Sequence, residues 1–178
     1  MRPVKLVAEK EVWEHWQRVE KHLSPDFRSD IRYSLPEDLT WFLCEVQPHD
    51  VDKMFIISSI DWSDISGGTF RIADVAARLD YPSTNVHTVR IACDIHDKLS
   101  FLSSGGNLDS QFVSITDSPS LFGPFTLLEG NRRSVTSFLR NTLVGSLIYV
   151  GYSPAVVNNK WSRYTYRHFL RHIRRIRG

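Results

Sequence analysis

Phe125-Thr126-Leu127-Leu128-Glu129-Gly130-Asn131-Arg132-Arg133-Ser134 is the stretch on which the reading of the chain turns. The apolar run Phe125 to Leu128 predicts a strand, and Ser134 to Asn141 carries a helical pattern. Between them Glu129 to Arg133 reads as a tight turn. A glycine at 130 lets the backbone bend and lets a ligand come close. The first free N–H groups of the helix point back at the turn and favour an anion there. Two arginines in a first helical turn oppose the helix dipole, which prefers acids at that end. Their planar forks suit a phosphate or a carboxylate. The plain alternative is a strand-to-helix turn carrying two solvated arginines.

Downstream of the motif, a helix over Arg132 to Leu143 and a strand over Ser146 to Gly151 are predicted, ended by Ser153-Pro154. Tyr152 and Ser153 would line the motif's pocket if the last strand were its neighbour, or would simply terminate that strand. Upstream, Val12, Trp13, Trp16, Val19 and Leu23 recur at helical spacing and predict a helix from about Glu9 to Leu23. Phe27 to Pro36 reads as loop, with a short helix start at Pro36-Glu37-Asp38. Trp41 to Val46 reads as a strand and Phe55-Ile56-Ile57 as a short apolar run, followed by a polar loop from Asp61 to Gly68. A helix is predicted over Ile72 to Leu79, and Val86 to Leu102 is ambiguous, fitting a helix better than a strand. Phe112 to Ile115 fits a strand or part of a longer loop. The last element, from about 159 to 177, carries an apolar stripe from Tyr166 to Ile176 with arginines on its other side. Alternating strands and helices predict a mixed α/β (α+β) fold.

At 178 residues, 42% of them hydrophobic and with ten Phe, six Tyr and five Trp, the chain suits one domain over 1–178 with an ample core. The motif-bearing part spans about 41–152. No apolar run approaches a membrane span, and the charged start lacks a signal-peptide core. Cys44 and Cys93 lie far apart without metal-type spacing, the pattern of reduced thiols in a cytoplasmic protein. The net charge of +2 conceals a division. From Gly130 onward there are nine arginines, one lysine and no acid, a charge of +10, while the first 129 residues carry 12 basic and 20 acidic side chains, a charge of −8. Such segregation fits a basic face for phosphate, nucleic acid or an acidic partner, or an internal pairing of the two halves.

The strand Phe125–Leu128, the turn Glu129–Arg133, the following helix and the strand Leu147–Val150 together resemble the ParB/sulfiredoxin-like superfamily. Its members share a small mixed sheet and a strand–turn–helix phosphate site. The turn reads Gly-Glu-Arg-Arg in ParB proteins, which grip CTP, Gly-Cys-His-Arg in sulfiredoxins, which grip ATP, and Asp-Gly-His-His-Arg in the related free-serine kinases. Gly130 matches the family glycine, Arg133 the final arginine, Arg132 the ParB arginine before it, and Glu129 stands where the kinases have aspartate. Asn131 departs from all three and leaves no sulfiredoxin cysteine and no ParB glutamate. The resemblance covers about residues 110–152. It implies a nucleotide- or phosphate-binding protein, with NTP hydrolysis or phosphoryl transfer as the associated activity and a nucleoside triphosphate with Mg as the associated ligand.

On that reading Gly130, Asn131, Arg132, Arg133 and Ser134 bind the phosphates, and Glu129 serves as general base or metal ligand. The alternative for Glu129 is a partner for a neighbouring arginine. A second acid would be needed for Mg, with Asp61 and Asp64 as candidates that equally suit caps or turns. Neither Asp94-Ile95-His96-Asp97 nor the pair His168 and His172 reads as a metal site. A second function class stays open: a non-catalytic nucleic-acid-binding or regulatory module, with Arg163, Arg167, Arg171 and Arg174 tracking a phosphate backbone, DNA included. A third is an interaction protein whose pocket is inactive. Glu129 and a further acid near Arg133 would favour the first, and Arg133 buried in an ion pair the third. Last-helix arginines sharing a face with Arg132 would favour the second.

Overall fold

The computed structural model describes residues 1–19 and 25–162. Among these residues six strands form one mixed, open sheet: β1 (Arg2–Val7), β2 (Thr40–Glu45), β3 (Met54–Phe55), β4 (Phe112–Thr116), β5 (Phe125–Glu129) and β6 (Leu147–Tyr152). Their order is β1-β2-β6-β4-β5-β3. The β4–β6 and β3–β5 pairs are parallel, and the other three are antiparallel. Among the described residues six α-helices accompany the sheet: α1 (Glu9–Val19), α2 (Pro25–Tyr33), α3 (Ile60–Ser63), α4 (Ile72–Ala77), α5 (Val86–Ser103) and α6 (Asn131–Leu139). The mixed α+β class expected from the sequence is therefore present.

The central strands β4 and β5 are buried along their whole length, which explains their continuous apolar runs. Helix α1 covers the side of the sheet that carries Trp41 and Tyr149. Its Trp13 stacks on Trp16 with ring centroids 5.1 Å apart and meets Trp41 edge-on at 6.0 Å. Trp41 in turn lies over Gly151, where a Cβ would come within 2.9 Å of the indole ring. The tryptophans thus form one block, and glycine at 151 gives it room. Helix α6 packs with α4 and α5. Asn85 caps α5 by accepting from the His87 amide at 2.9 Å.

Several expectations need correction. The first residues, for which the sequence reading named no element, form β1, an exposed edge strand. It is irregular between Pro3 and Lys5, where proline has no N–H to give the ladder. Phe27 to Pro36 was expected as loop, yet α2 occupies most of it. Pro25 stands at the first helical position, and Ile31 is fully buried. No helix starts at Pro36, and the loop from Asp61 instead begins within the single turn α3. Helix α6 ends at Leu139, short of Leu143, because Asn141 takes a left-handed φ of 56°. A 3-10 turn over Pro154–Asn158 precedes the predicted arginine-rich element, of which only residues 159–162 are described. Arg163, Arg167, Arg171 and Arg174, with His168 and His172, lie outside the described residues.

Candidate functional site

Register across the sheet places the site. Val113 of β4 faces Glu129 on one side and Tyr149 on the other, so Glu129 and Tyr149 share a row. β3 runs parallel to β5, so both strands finish at this same edge. The start of α6 and the segment after β3 therefore converge beside Glu129. Open α/β sheets bind ligands at such carboxyl ends.

Gly130 is the hinge of the turn, with φ 81°. A Cβ there would stand 2.6 Å from the buried ring of Phe112, so both the angle and the space require glycine. The first turn of α6 contains no acidic residue and has no side-chain cap. Asn131 turns its side chain back to the sheet edge, where its Oδ1 accepts from the Ile57 amide at 2.9 Å. It thereby ties the end of β3 to the motif. Ser134 is buried and donates from its hydroxyl to the Asn131 carbonyl at 2.8 Å.

The two arginines have different surroundings. Arg133 is folded inward, its side chain 12% exposed and Glu129 fully covered beside it. Its Nη2 donates to Glu129 Oε1, and its Nη1 donates to the carbonyls of Asp109 and Gln111. The Asp109 carboxylate lies 3.6 Å from Nη1, and the guanidinium stands 5.6 Å from the centre of the Phe112 ring. Arg132 is the more open of the two. Its Nη1 lies 3.2 Å from Asp94 of α5, each side chain about a third exposed (34% and 36%).

A histidine that the sequence reading passed over completes the cluster. His15 of α1 is 2% exposed, with Nε2 3.9 Å from Glu129 Oε2. Its Nδ1 is 3.0 Å from Arg18 Nη2. A guanidinium only donates, so Nδ1 accepts and the neutral ring carries its proton on Nε2, toward Glu129. Burial is the main reason His15 is held below the ordinary histidine range. Asp109 opposes that shift, Arg18 and Arg133 reinforce it, and the Gln111 carbonyl opposes it. The ring packs 5.2 Å from Tyr149, whose hydroxyl donates to Glu11 at 3.3 Å. Burial first, and then Glu11, raise the Tyr149 hydroxyl above its usual range.

The other candidates fall elsewhere. Asp64 accepts from Ser83 and Thr88, at 2.9 and 2.8 Å, and so latches the start of α5. Asp61 lies 3.4 Å from His87. The second acid beside Arg133 is Asp109 instead. In the Asp94–Asp97 run, Asp94 faces Arg132 while His96 pairs with Asp80 at 3.1 Å. Tyr152 and Ser153 do not join the site. β4 separates β6 from β5, and β6 runs opposite to β5, so its carboxyl end lies at the other end of the strands. Ser153 there donates to Asp38 at 2.7 Å and caps the 3-10 turn. Among the described residues no three His, Cys, Asp or Glu side chains are grouped to hold a metal ion. No helix among them is long and apolar enough to cross a membrane.

His15 was within reach of the sequence, since it follows Val12 by three and precedes Val19 by four on the buried face of α1. Asp109 gave no local signal, because it lies in a loop and meets Arg133 only through the fold. Comparison of the chain with family models, with curated proteins and with solved structures finds no match.

Proposed function

We propose that this chain is a nucleotide- or phosphate-binding protein of ParB/sulfiredoxin-like type, with the anion seated at the start of α6. The observation that carries this reading is the turn itself. A left-handed Gly130 opens a helix with two arginines and no acid in its first turn, at the edge where β3 and β5 finish. Backbone N–H groups after Gly130 would cradle phosphate oxygens, and Arg132 would close on them by leaving Asp94. Arg133 and Glu129 buttress the turn from inside, and Asn131 and Ser134 fix its backbone. Hydrolysis or phosphoryl transfer would require Glu129 to part from Arg133, so binding is the primary claim. If Mg accompanies a nucleotide, Asp94 is the accessible carboxylate beside Arg132.

A thermal-shift titration with ATP, CTP, GTP and ADP, with and without Mg, tests this reading on wild type and Arg132→Ala. A ligand that binds the native state raises the midpoint by mass action. A nucleotide-specific rise that Arg132→Ala loses supports the site. No rise with any nucleotide removes it.

One observation favours a second reading, nucleic-acid binding through the basic C-terminal residues. The Trp161 carbonyl accepts from the Ser58 amide at 3.2 Å and from its hydroxyl at 2.8 Å. Ser58 follows Ile57, the partner of Asn131. The arginine-rich residues from Arg163 thus continue the chain from a point beside the motif. On this reading nucleic-acid affinity falls steeply with salt, and the slope flattens when Arg163 and Arg167 are replaced.

A further inference from the structure

His15 and Arg133 compete for one carboxylate. Glu129 offers Oε1 to Arg133 and turns Oε2 toward His15 Nε2, 3.9 Å away. His15 Nε2 is buried without a well-formed hydrogen bond, the Gln111 carbonyl acting on the ring only as a weak acceptor. The groups around the ring fall into two sets. Glu129 of β5, Asp109 and the Gln111 carbonyl before β4 favour a charged ring. Arg18 of α1 and Arg133 of α6 oppose one. Tyr149 of β6 packs against the ring and passes its hydroxyl proton toward Glu11 of α1.

Protonation has a defined geometric consequence here. The incoming proton must go to Nδ1, the nitrogen that accepts from Arg18. Arg18 is exposed and free to swing into solvent. The imidazolium then presents a charged Nε2–H to Glu129 and draws the carboxylate away from Arg133. Nη1 of Arg133 keeps the Asp109 and Gln111 carbonyls, whereas Nη2 loses its partner. A freed Nη2 is a donor at the helix N-terminus where the proposed anion sits.

We propose that His15 is a positioning residue, whose protonation moves Glu129 from Arg133 onto itself and releases the Nη2 arm of Arg133 for a phosphate-type anion at the start of α6. The anion-binding part of this inference rests on the function proposed above. The exchange of partners does not.

The test follows both parts in the full chain. Nitrogen-15 NMR reads the His15 ring and the Arg133 side-chain N–H signals from pH 8 to 5, the span in which histidines change charge. Sulfate serves as the anion probe because its charge is constant over that span. The Arg133 signals are expected to move with the same midpoint as His15 and to stay still in His15→Gln. Sulfate affinity is expected to rise on the order of tenfold toward acid pH, within the usual range for coupled sites, and to stay flat in His15→Gln. Arg133 signals indifferent to the His15 midpoint overturn the exchange, even if sulfate binds. Arg133 signals that follow His15 while sulfate binds at no pH overturn the anion-binding reading and leave the exchange standing. Should His15→Gln fail to fold, the wild-type midpoints alone decide.

Discussion

Glu129 and Arg133, four residues apart across the Gly130 turn, are bonded carboxylate to guanidinium with Glu129 fully covered. The pair joins the end of a central strand to the first turn of α6. Breaking one half leaves a buried charge without its partner, which typically costs about 3–5 kcal/mol. Arg133→Ala and Glu129→Ala are each expected to fall in that range by urea denaturation, lowered somewhat because Arg133 keeps slight exposure. Replacing both at once by apolar residues, as in Glu129→Leu with Arg133→Met, is expected to cost less than either single change. A double variant as damaged as the sum of the two singles would refute the coupling.

Gly130 is constrained twice, by a φ of 81° and by the Phe112 ring 2.6 Å from a would-be Cβ. Gly130→Ala is expected to lose about 2 kcal/mol or more, combining backbone strain with overpacking of a filled core. Gly105→Ala gives the control, since its φ is also positive but nothing lies within 4 Å of the added Cβ. The difference between the two variants isolates the cost of displacing Phe112. Equal losses would mean that the ring gives way freely.

His15 should make stability depend on pH. Its folded-state pKa is lowered, chiefly by burial, so the unfolded chain takes up the proton first as pH falls. Its share of stability is therefore full above about pH 6.5, the unfolded value, and declines as pH drops from there toward the folded pKa. The slope from this one group cannot exceed about 1.4 kcal/mol per pH unit. Denaturation at several pH values should show His15→Gln with a flatter profile in that window. An unchanged profile would show that His15 does not carry the linkage.

The two thiols should separate cleanly. Cys44 is buried, and burial pushes its thiol up to about 11, whereas Cys93 is exposed on α5. The thiolate is the reactive form. A maleimide at neutral pH should therefore label Cys93 in the native protein and reach Cys44 only after unfolding, as read by mass spectrometry with Cys93→Ser as reference. Native labelling of Cys44 would contradict the packing around β2.

What the sequence made legible was local. Phe125 to Leu128, Gly130 and the pattern after it announced strand, turn and helix because each depends on near neighbours. α5 was less plain, its residues fitting a helix only better than a strand, and its Asn85 cap came to light in the structure. β1 was missed because an exposed edge strand lacks the buried alternation that marks strands, and here Val4 and Leu6 both face outward. The roles within the motif were less legible still. Arg132 and Arg133 are adjacent and chemically identical, and only the fold shows one facing Asp94 and the other bonded to Glu129. Tyr152 would have lined the motif had β6 been the neighbour of β5. β4 lies between them, and β6 runs opposite to β5, so Tyr152 points to the other end of the strands while Tyr149, three residues earlier in β6, shares the row of Glu129. Sheet order and cross-strand register are long-range properties, set by the assembled core.

The most direct test of the central claim is amide NMR of the wild-type chain during titration with ADP and ATP. A phosphate seated at the start of α6 should shift the backbone N–H signals of Gly130, Asn131, Arg132 and Arg133 most strongly. Arg132→Ala should weaken that response without moving the rest of the spectrum. Saturable shifts centred on those four amides are the predicted result. A motif that stays silent while either nucleotide binds elsewhere, or while neither binds at all, would contradict the account.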